Sequence, residues 1–485
     1  MEQITILLIV VMPFILGSFM FFFKKRGYLL AGIFISSITT CLVALMFLKM
    51  GIQTKHTITG LYGVEVIFDR ISSVFLLTSG IVMLLVSIDS VKDEEIDEFR
   101  PMIPVLMAAM NASFVSFDFF NVYVTLELVT IVAFILIGAR MLVKRLWGGI
   151  KYLLVGNTGM LFYLLGVALY YQDTGTFSMS AAKDAPVISL AMMTIGLFIK
   201  GGVFLSGLWL PDVHGEASTP ISALLSGVVV KTGIYPLLRI IDINPSFGKV
   251  ITIFGLLSAL LGAFLASFER DSKRTLAFST VSQVGYSLSH PVFGAFYVFA
   301  HGMLKSWLFL RVGKLKSRDF TELQSKGVPL KVWISILIPS LALSGIPFLG
   351  THTIKSLMVH QMGGWQRVTF YASGILTAAV FARFVFLPPR KIPLEGKREK
   401  IPLFVDVLYF LFLLLLDIIL RIFRIDGFEK LSLTLLTIGA GWVIYLILRK
   451  TAGPDLRTFE NIDHLIGLSI VVLLLLLVFG GVLVW

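Results

Sequence analysis

Lysine residues lie in the middle of several long apolar stretches of this chain. Lys200, Lys231 and Lys305 each have enough apolar sequence around them to cross a lipid bilayer. An ionised lysine at the centre of a membrane costs roughly 2.5–3.5 kcal/mol, so such residues usually have a function. Glu127 and Lys355 lie in further apolar stretches. Together these residues predict a proton or ion path at membrane depth.

The elements that position these residues are predicted to be membrane helices. Of the 485 residues, 57% are hydrophobic and 14% are charged, and the mean hydropathy of +0.91 is far above that of a water-soluble domain. Apolar runs recur from end to end, which predicts an all-α polytopic membrane protein with about 14–16 transmembrane helices. Residues 4–23 have no small-residue cleavage site after them and predict an uncleaved first helix.

The basic residues indicate how the helices are oriented. The 41 Lys and Arg residues concentrate in the loops after odd-numbered predicted helices, with the richest loops at 311–331 and 390–400. Basic loops are typically cytoplasmic, so both termini are predicted to lie outside a cell membrane. Because the basic residues are accounted for by these loops, the net charge of +12 does not indicate a nucleic acid partner. The alternative for the basic loops is binding of anionic lipid or of a docked partner.

Cofactor sites are not indicated. The single cysteine, Cys41, excludes an internal disulfide and a cysteine-ligated iron-sulfur cluster. The histidines have no zinc-binding or haem-attachment spacing, and no Walker-type phosphate loop is present. Neither a metal nor a cofactor is therefore expected, and the chain has no redox or catalytic centre of its own.

Two consecutive five-helix units are predicted, each with one interrupted helix. Gly201 and Gly202 directly follow Lys200, and Gly345 and Pro347 shortly precede Lys355. Broken helices in corresponding positions are typical of inverted-repeat transporters, and an odd number of helices makes consecutive copies inverted. The alternative is a pair of unrelated glycine kinks. The predicted units are an N-terminal three-helix block at 1–100, the five-helix units at 101–241 and 249–387, and C-terminal helices at 402–485.

Several longer motifs resemble a known family. Residues 209–217 read WLPDVHGEA, residues 222–235 read SALLSGVVVKTGIY, residues 118–127 read DFFNVYVTLE, and residues 273–286 read KRTLAFSTVSQVGY. With His301 and Lys305, and over about residues 60–390, they resemble the antiporter-like subunits of respiratory complex I. The same family includes subunits of Mrp-type cation/proton antiporters and of membrane-bound hydrogenases and sulfane reductases.

The resemblance implies roles for individual residues. Glu127 is similar to the family's fifth-helix glutamate, which pairs with the seventh-helix lysine, here Lys200. Lys231 matches the eighth-helix lysine. The eleventh-helix polar pair and the twelfth-helix terminal group are matched by His301, Lys305 and Lys355. Opening of the Glu127–Lys200 pair would let a proton move on to Lys231. The sequence departs from the family pattern at Thr351 to Thr353, where the family usually has aromatic residues before the lysine that corresponds to Lys355. Such departures affect the expected details of the helix breaks and of water access.

Weaker candidates have structural alternatives. Asp69 and Arg383 are accessory candidates, with structural ion pairing as the alternative. His214 is predicted to lie in a cytoplasmic loop beside Asp212 and Glu216, where these residues either admit protons or cap helix ends. The alternative for Lys305 is a packing role with hydrogen bonds to carbonyl groups. The alternative for His301 is an interior histidine whose hydrogen bonds are satisfied within the protein.

The resemblance implies a proton-translocating membrane subunit of a redox-driven complex. Its expected partners are other membrane subunits, including iron-sulfur or hydrogenase-like redox subunits, together with lipid. The alternatives are a component of an Mrp-type Na+/H+ antiporter and an inactive membrane anchor. Intact charges along the path argue against the inert anchor. A path made mostly of lysine favours protons, and Na+ transport is left open.

Overall fold

The protein is described here from a computed structural model. It describes residues 2–23, 25–51, 53–58, 63–347, 349, 351–390, 402–422, 431–449 and 460–484.

Helices make up almost all of the described chain. They are α1 Glu2–Ile6, α2 Met12–Met20, α3 Arg26–Met50, α4 Arg70–Asp89, α5 Met102–Val115, α6 Phe119–Ile137, α7 Val143–Thr174, α8 Val187–Gly201, α9 Leu210–Glu216, α10 Thr219–Leu224, α11 Lys231–Ile243, α12 Pro245–Phe268, α13 Ser272–Ser287, α14 Pro291–Val312, α15 Phe320–Lys326, α16 Leu330–Ser344, α17 Thr351–His360, α18 Gly364–Val385, α19 Leu403–Ile422, α20 Leu431–Leu448 and α21 Ile462–Val484.

Short segments of other structure connect the helices. Two π-helical segments cover Leu7–Val11 and Leu225–Val229, and 3-10 turns cover Glu94–Phe99, Ala139–Met141, Met179–Asp184 and Phe204–Gly207. The strands are β1 Thr54–Thr57, paired antiparallel with β2 Glu65–Phe68, and β3 Val328–Pro329, paired parallel with β4 Pro389–Arg390.

The prediction of an all-α polytopic membrane protein is confirmed. Within the described residues, ten helical segments are long and apolar enough to cross a bilayer, and five further apolar helices are shorter. Large apolar side chains such as Leu42, Leu161 and Val478 are 61–66% exposed on the outside of the bundle. Such a surface is suited to contact with lipid chains.

Both predicted helix breaks are present. Helix α8 is followed directly by Gly202, which has a φ of 67°, and the chain makes a 3-10 turn before α9 begins. Helix α16 is followed directly by Gly345, which has a φ of 94°, and α17 starts only at Thr351. Glycine adopts positive φ without the steric cost that a side chain would bring. The breaks therefore lie where the glycines predicted them.

The centre of the bundle contains helices α11, α13 and α14. Every residue of α13 is buried, although its sequence is rich in Ser, Thr and Gln. Helix α14 is buried throughout from Tyr297 to Val312. The segment from α10 through α11 is likewise enclosed along its apolar length. Helices α11 and α14 carry three of the six predicted path residues, Lys231, His301 and Lys305, and α13 packs against α14.

Candidate functional site

Lys231 and His301 form a direct contact in the core. Lys231 Nζ lies 2.8 Å from His301 Nδ1 and donates a second hydrogen bond of 2.9 Å to the carbonyl of Ser226. Both side chains are almost completely buried. His301 Nε2 is also buried and has no hydrogen-bond partner among the described residues. The imidazole therefore has one nitrogen next to the lysine and another nitrogen available for a further proton transfer.

Local backbone structure brings this pair together. The π-helical segment Leu225–Val229 lies immediately before Lys231, and π-bulges place an extra residue within a helical turn, often at functional sites. Across from it, a Cβ atom on Gly302 would lie only 2.6 Å from the carbonyl oxygen of Gly227. Glycine at both positions lets the two backbones touch. The backbone contact thus determines the distance between Lys231 and His301.

Lys305 lies one helical turn beyond His301. Its Nζ donates hydrogen bonds to the Leu276 carbonyl at 2.9 Å and to the Ser279 hydroxyl, both on α13. The ammonium also lies 5.4 Å from the centre of the Phe381 ring. The polar face of α13 therefore solvates this buried cation in place of water.

Tyr297 lies between His301 and Lys355. Its ring is nearly parallel to that of His301, with 6.3 Å between centroids, and its centroid is 5.8 Å from Lys355 Nζ. Lys355 also lies 4.8 Å from the centre of the Tyr286 ring and donates to the Leu343 carbonyl at 3.2 Å. The carbonyl belongs to the broken end of α16, where carbonyl groups lack helical partners. Aromatic faces and a free helix end thus hold this lysine.

A cavity of about 50 Å³ borders Lys355. Besides residues of α17 and α18, its lining includes Thr434 and Thr437 of α20. Thr434 Oγ1 lies 3.0 Å from His352 Nε2. A cavity of this size has room for a few water molecules, and Ser344, Ser356 and the two threonines provide polar groups in an otherwise largely apolar lining. Helix α20 therefore forms part of the surroundings through which Lys355 could exchange protons.

Lys200 contacts Thr130 on α6. Its Nζ donates to Thr130 Oγ1, and the Thr130 hydroxyl donates in turn to the Leu126 carbonyl at 2.6 Å. Within the described residues, no ion pair of 4.0 Å or less joins Lys200 to Glu127. Glu127 is half-buried three residues before Thr130, on the same face of α6. The structure therefore does not show the predicted pair in direct contact.

Gly156 on α7 makes room for this arrangement. A Cβ atom at position 156 would lie 2.8 Å from Lys200 Nζ. The Tyr152 ring lies on the same helix, with its centre 5.8 Å from that nitrogen. Thr130 and Gly156 are consequently positioning residues for Lys200.

Loss of the Thr130 hydroxyl is expected to shift Lys200 towards Glu127. A hydrogen bond to a charged group contributes about 1.5–3 kcal/mol, which corresponds to roughly a 10- to 100-fold change in the preference between the two positions. We expect Thr130→Val to slow proton translocation into vesicles several-fold, because the closed ion pair would hold the lysine. Thr130→Ser keeps the acceptor and is the control. Equal rates for all three proteins would contradict this role.

Some predicted residues lie apart from the series that runs from Lys231 to Lys355. Asp69 caps the start of α4 and accepts two hydrogen bonds from Arg239, at 2.5 and 2.8 Å. Burial alone would raise the pKa of the Asp69 carboxyl, but hydrogen bonds and charge from Arg239 lower it below its ordinary value. Arg383 donates to the carbonyls of Ala266 and Ser267. Asp69 thus forms a structural ion pair with Arg239. Arg383 forms no ion pair with any described residue.

The predicted placement of His214 in a loop is wrong. His214 lies on α9, the second half of the broken helix, and is fully buried with its ring stacked 5.0 Å from that of Phe309. In the described part of the chain, neither ring nitrogen of His214 has a hydrogen-bond partner. Asp212 on the same helix forms an ion pair with Lys151. Proline at the start of a helix favours helix formation, and Pro211 occupies that position in α9.

Sequence reasoning did not single out Thr130, Tyr297 or the hydroxyl groups of α13. One signal was present for α13, because Ser279, Thr280, Ser282 and Gln283 follow each other closely within a chain of membrane helices. Polar residues in such helices usually face the interior of the bundle. No comparable signal marks Thr130 among the apolar residues of α6.

Comparison with known proteins places the chain among membrane subunits of one family. Residues 116–381 match the sequence profile of the family described as NADH:quinone oxidoreductase/Mrp antiporter, TM. The chain is 28% identical over 392 residues to the D-type subunit of the Na(+)/H(+) antiporter of Alkalihalophilus pseudofirmus, covering 73% of this chain and 80% of that protein. It is 31% identical over 324 residues to the N-type subunit of the NADH-quinone oxidoreductase of Desulforudis audaxviator, covering 59% of this chain and 64% of that protein.

Solved structures show the same fold. A chain of the archaeal membrane-bound sulfane sulfur reductase superposes with a TM-score of 0.77 at 21% identity, covering 92% of this chain and 99% of that one. A chain of the Mrp complex from Dietzia sp. DQ12-45-1b gives a TM-score of 0.74 at 20% identity, covering 98% and 96%. These relatives are subunits of multisubunit membrane complexes. The chain belongs to the NADH:quinone oxidoreductase/Mrp antiporter family of antiporter-like membrane subunits.

Proposed function

We propose that this chain carries protons across a cell membrane as one subunit of a redox-driven ion-pumping complex. The contact between Lys231 Nζ and His301 Nδ1, 2.8 Å apart in the core, is the observation that carries the proposal. A charged lysine can pass its proton to a neutral imidazole, which leaves an uncharged amine and an imidazolium. The unpartnered Nε2 of His301 then offers a nitrogen for the next transfer.

The remaining residues extend the proposed path in both directions. On one side, Lys200 would deliver protons to Lys231 when its contact with Thr130 breaks. On the other, protons would move from His301 and Lys305 towards Lys355 beside its small cavity. Water molecules would bridge the longer gaps. Residues 101–241 and 249–387 would then act as two inverted half-channels, with both chain termini on the outer side.

A second candidate is a component of an Mrp-type Na+/H+ antiporter. The observation that favours it is the similarity to the D-type subunit of the Na(+)/H(+) antiporter, which extends over 80% of that protein. The same buried residues would serve either function, because the partners determine what drives the proton movement. The two proposals therefore differ in the proteins that accompany the chain.

Isolation of the native complex would test these proposals. The tagged full-length chain would be extracted from its native membrane in mild detergent and the copurifying proteins identified by mass spectrometry. Iron-sulfur or hydrogenase-like subunits would support the redox-driven complex. Small membrane subunits without redox centres would support the antiporter. Recovery of the chain without any copurifying subunit would contradict both assignments.

A further inference from the structure

A second cavity, of about 350 Å³, lies away from the lysine series. It is enclosed by the carboxyl-terminal ends of α12, α18 and α20 and by the short helix α15. The distribution of basic residues predicts this end of the bundle to be cytoplasmic. Its polar lining residues are Ser267, Arg270, Thr321, Gln324, Arg383, Tyr445 and Arg449.

The cavity has an unbalanced positive charge. Three of the described lining residues are arginines and none is acidic. In the part of the chain that the structure describes, none of these arginines lies within 4.0 Å of a carboxylate oxygen. Clustered arginines without counter-charges repel each other, and a bound anion would relieve that repulsion.

Nearby carboxylates are already engaged elsewhere. Glu269 forms an ion pair of 2.9 Å with Arg274. Asp319 caps α15 by accepting a 2.7 Å hydrogen bond from the Thr321 amide, and Asp271 caps α13 in the same way. Reorienting either cap towards the cavity would cost the helix its capping hydrogen bonds. The positive charge of the cavity is therefore a stable feature of the fold.

Hydrogen-bond donors remain available in the cavity. Arg383 is held with its guanidinium carbon 4.1 Å from the centre of the Phe320 ring, and its Nη1 donates to main-chain carbonyls. Its Nε and Nη2 groups donate to none of the described residues. The Tyr445 hydroxyl accepts a 3.1 Å hydrogen bond from Gln324, which leaves its own proton free to donate. A planar guanidinium beside a hydroxyl is suited to phosphate oxygens.

The cavity also borders the lipid-facing surface. Val443, Leu446 and Ile447 on α20 are 50–65% exposed, while Phe268 and Leu448 line the cavity itself. A ligand with a phosphate group and acyl chains would satisfy both parts of the surface. Basic pockets between membrane helices at the cytoplasmic face bind anionic headgroups in this way.

We propose that this cavity, which we name the arginine cavity, binds the phosphate headgroup of an anionic phospholipid. Arg270, Arg383 and Arg449 would contact the phosphate, and the acyl chains would lie along α20. The site does not depend on proton translocation, and it would anchor α20 to α18 and α15.

Native mass spectrometry of the purified full-length chain, titrated with phosphatidylglycerol, would test the proposal. The double variant Arg270→Gln/Arg449→Gln removes two exposed side chains that make no hydrogen bonds to described residues. Each arginine near an anionic lipid is expected to strengthen binding about five-fold, so the double variant should bind about 25-fold more weakly. Arg367→Gln, at the opposite end of α18, is the matched control and should bind as the unmodified protein does.

Three results would overturn the proposal. Unchanged lipid affinity in the double variant would show that the arginines are not the site. Equal affinity for phosphatidylcholine would show that acyl chains alone are recognised. Displacement of the lipid by inorganic phosphate at equal concentration would identify a site for a free anion. Thermal unfolding of each variant in lipid-free detergent would verify that the fold is intact.

Discussion

Replacing Lys231 with methionine is expected to abolish proton translocation. The side chain is fully buried, and among the described residues its ammonium is the only hydrogen-bond partner of His301 Nδ1. Methionine fills a similar volume but carries no proton, so the proposed transfer has no donor. We expect at least a tenfold loss of translocation rate in vesicles containing the assembled complex, since a positioned proton donor contributes about 10²–10⁴-fold.

A charge-preserving variant separates proton transfer from electrostatics. Lys231→Arg retains the positive charge, but the guanidinium does not deprotonate in proteins. We expect this variant to be inactive as well, whereas a purely electrostatic role would leave it active. Lys331→Met, at an exposed position on α16, is the control for loss of a lysine. Full translocation by Lys231→Met in an assembled complex would remove Lys231 from the path.

Replacing Asp406 with asparagine is expected to cause the largest loss of stability. Asp406 on α19 accepts hydrogen bonds from Trp307 Nε1 and Arg311 Nε, both at 2.6 Å, and from Ser335 Oγ at 2.5 Å. Arg311 is fully buried and also pairs with Asp89 at 2.7 Å. These bonds join α19 to α4, α14 and α16. Uncoupling one partner of a buried ion pair costs about 3–5 kcal/mol.

We expect the lower end of that range, about 3 kcal/mol, because Arg311 retains its contact with Asp89. Thermal unfolding in detergent would show a lower midpoint for Asp406→Asn than for the unmodified protein. Asp463→Asn, an exposed position near the start of α21, is the control for the same chemical change. An unchanged midpoint for Asp406→Asn would mean that this ionic cluster does not stabilise α19.

The glycines that break α8 and α16 were recognisable in the sequence because their conformational preference is local. Lys200 and Lys355 were recognisable for a related reason, since a charge in an apolar stretch is costly wherever the helix packs. The partners of these lysines depend on which helices are neighbours. Thr130 and Tyr297 became visible only when α6 and α14 were placed beside the lysines.

Helix α9 shows a different limit. Its charged residues Asp212 and Glu216 suggested a solvated loop, but the segment folds into a short helix that buries His214 between them. A half-helix of seven residues is too short for a hydrophobic period to be read from its sequence. The position of α9 inside the bundle depends on the break in α8 and on helix packing, which the local sequence of α9 does not reveal.

The polar helix α13 limits the order in which the protein can be assembled. Its exclusively buried surface carries Ser282 and Gln283, so the helix would gain little by entering lipid alone during synthesis. Helix α12 packs against it so closely that a Cβ atom on Gly285 would lie 2.2 Å from the Gly255 carbonyl oxygen. Insertion of α12 and α13 together as a hairpin would let the apolar helix carry the polar one into the bilayer.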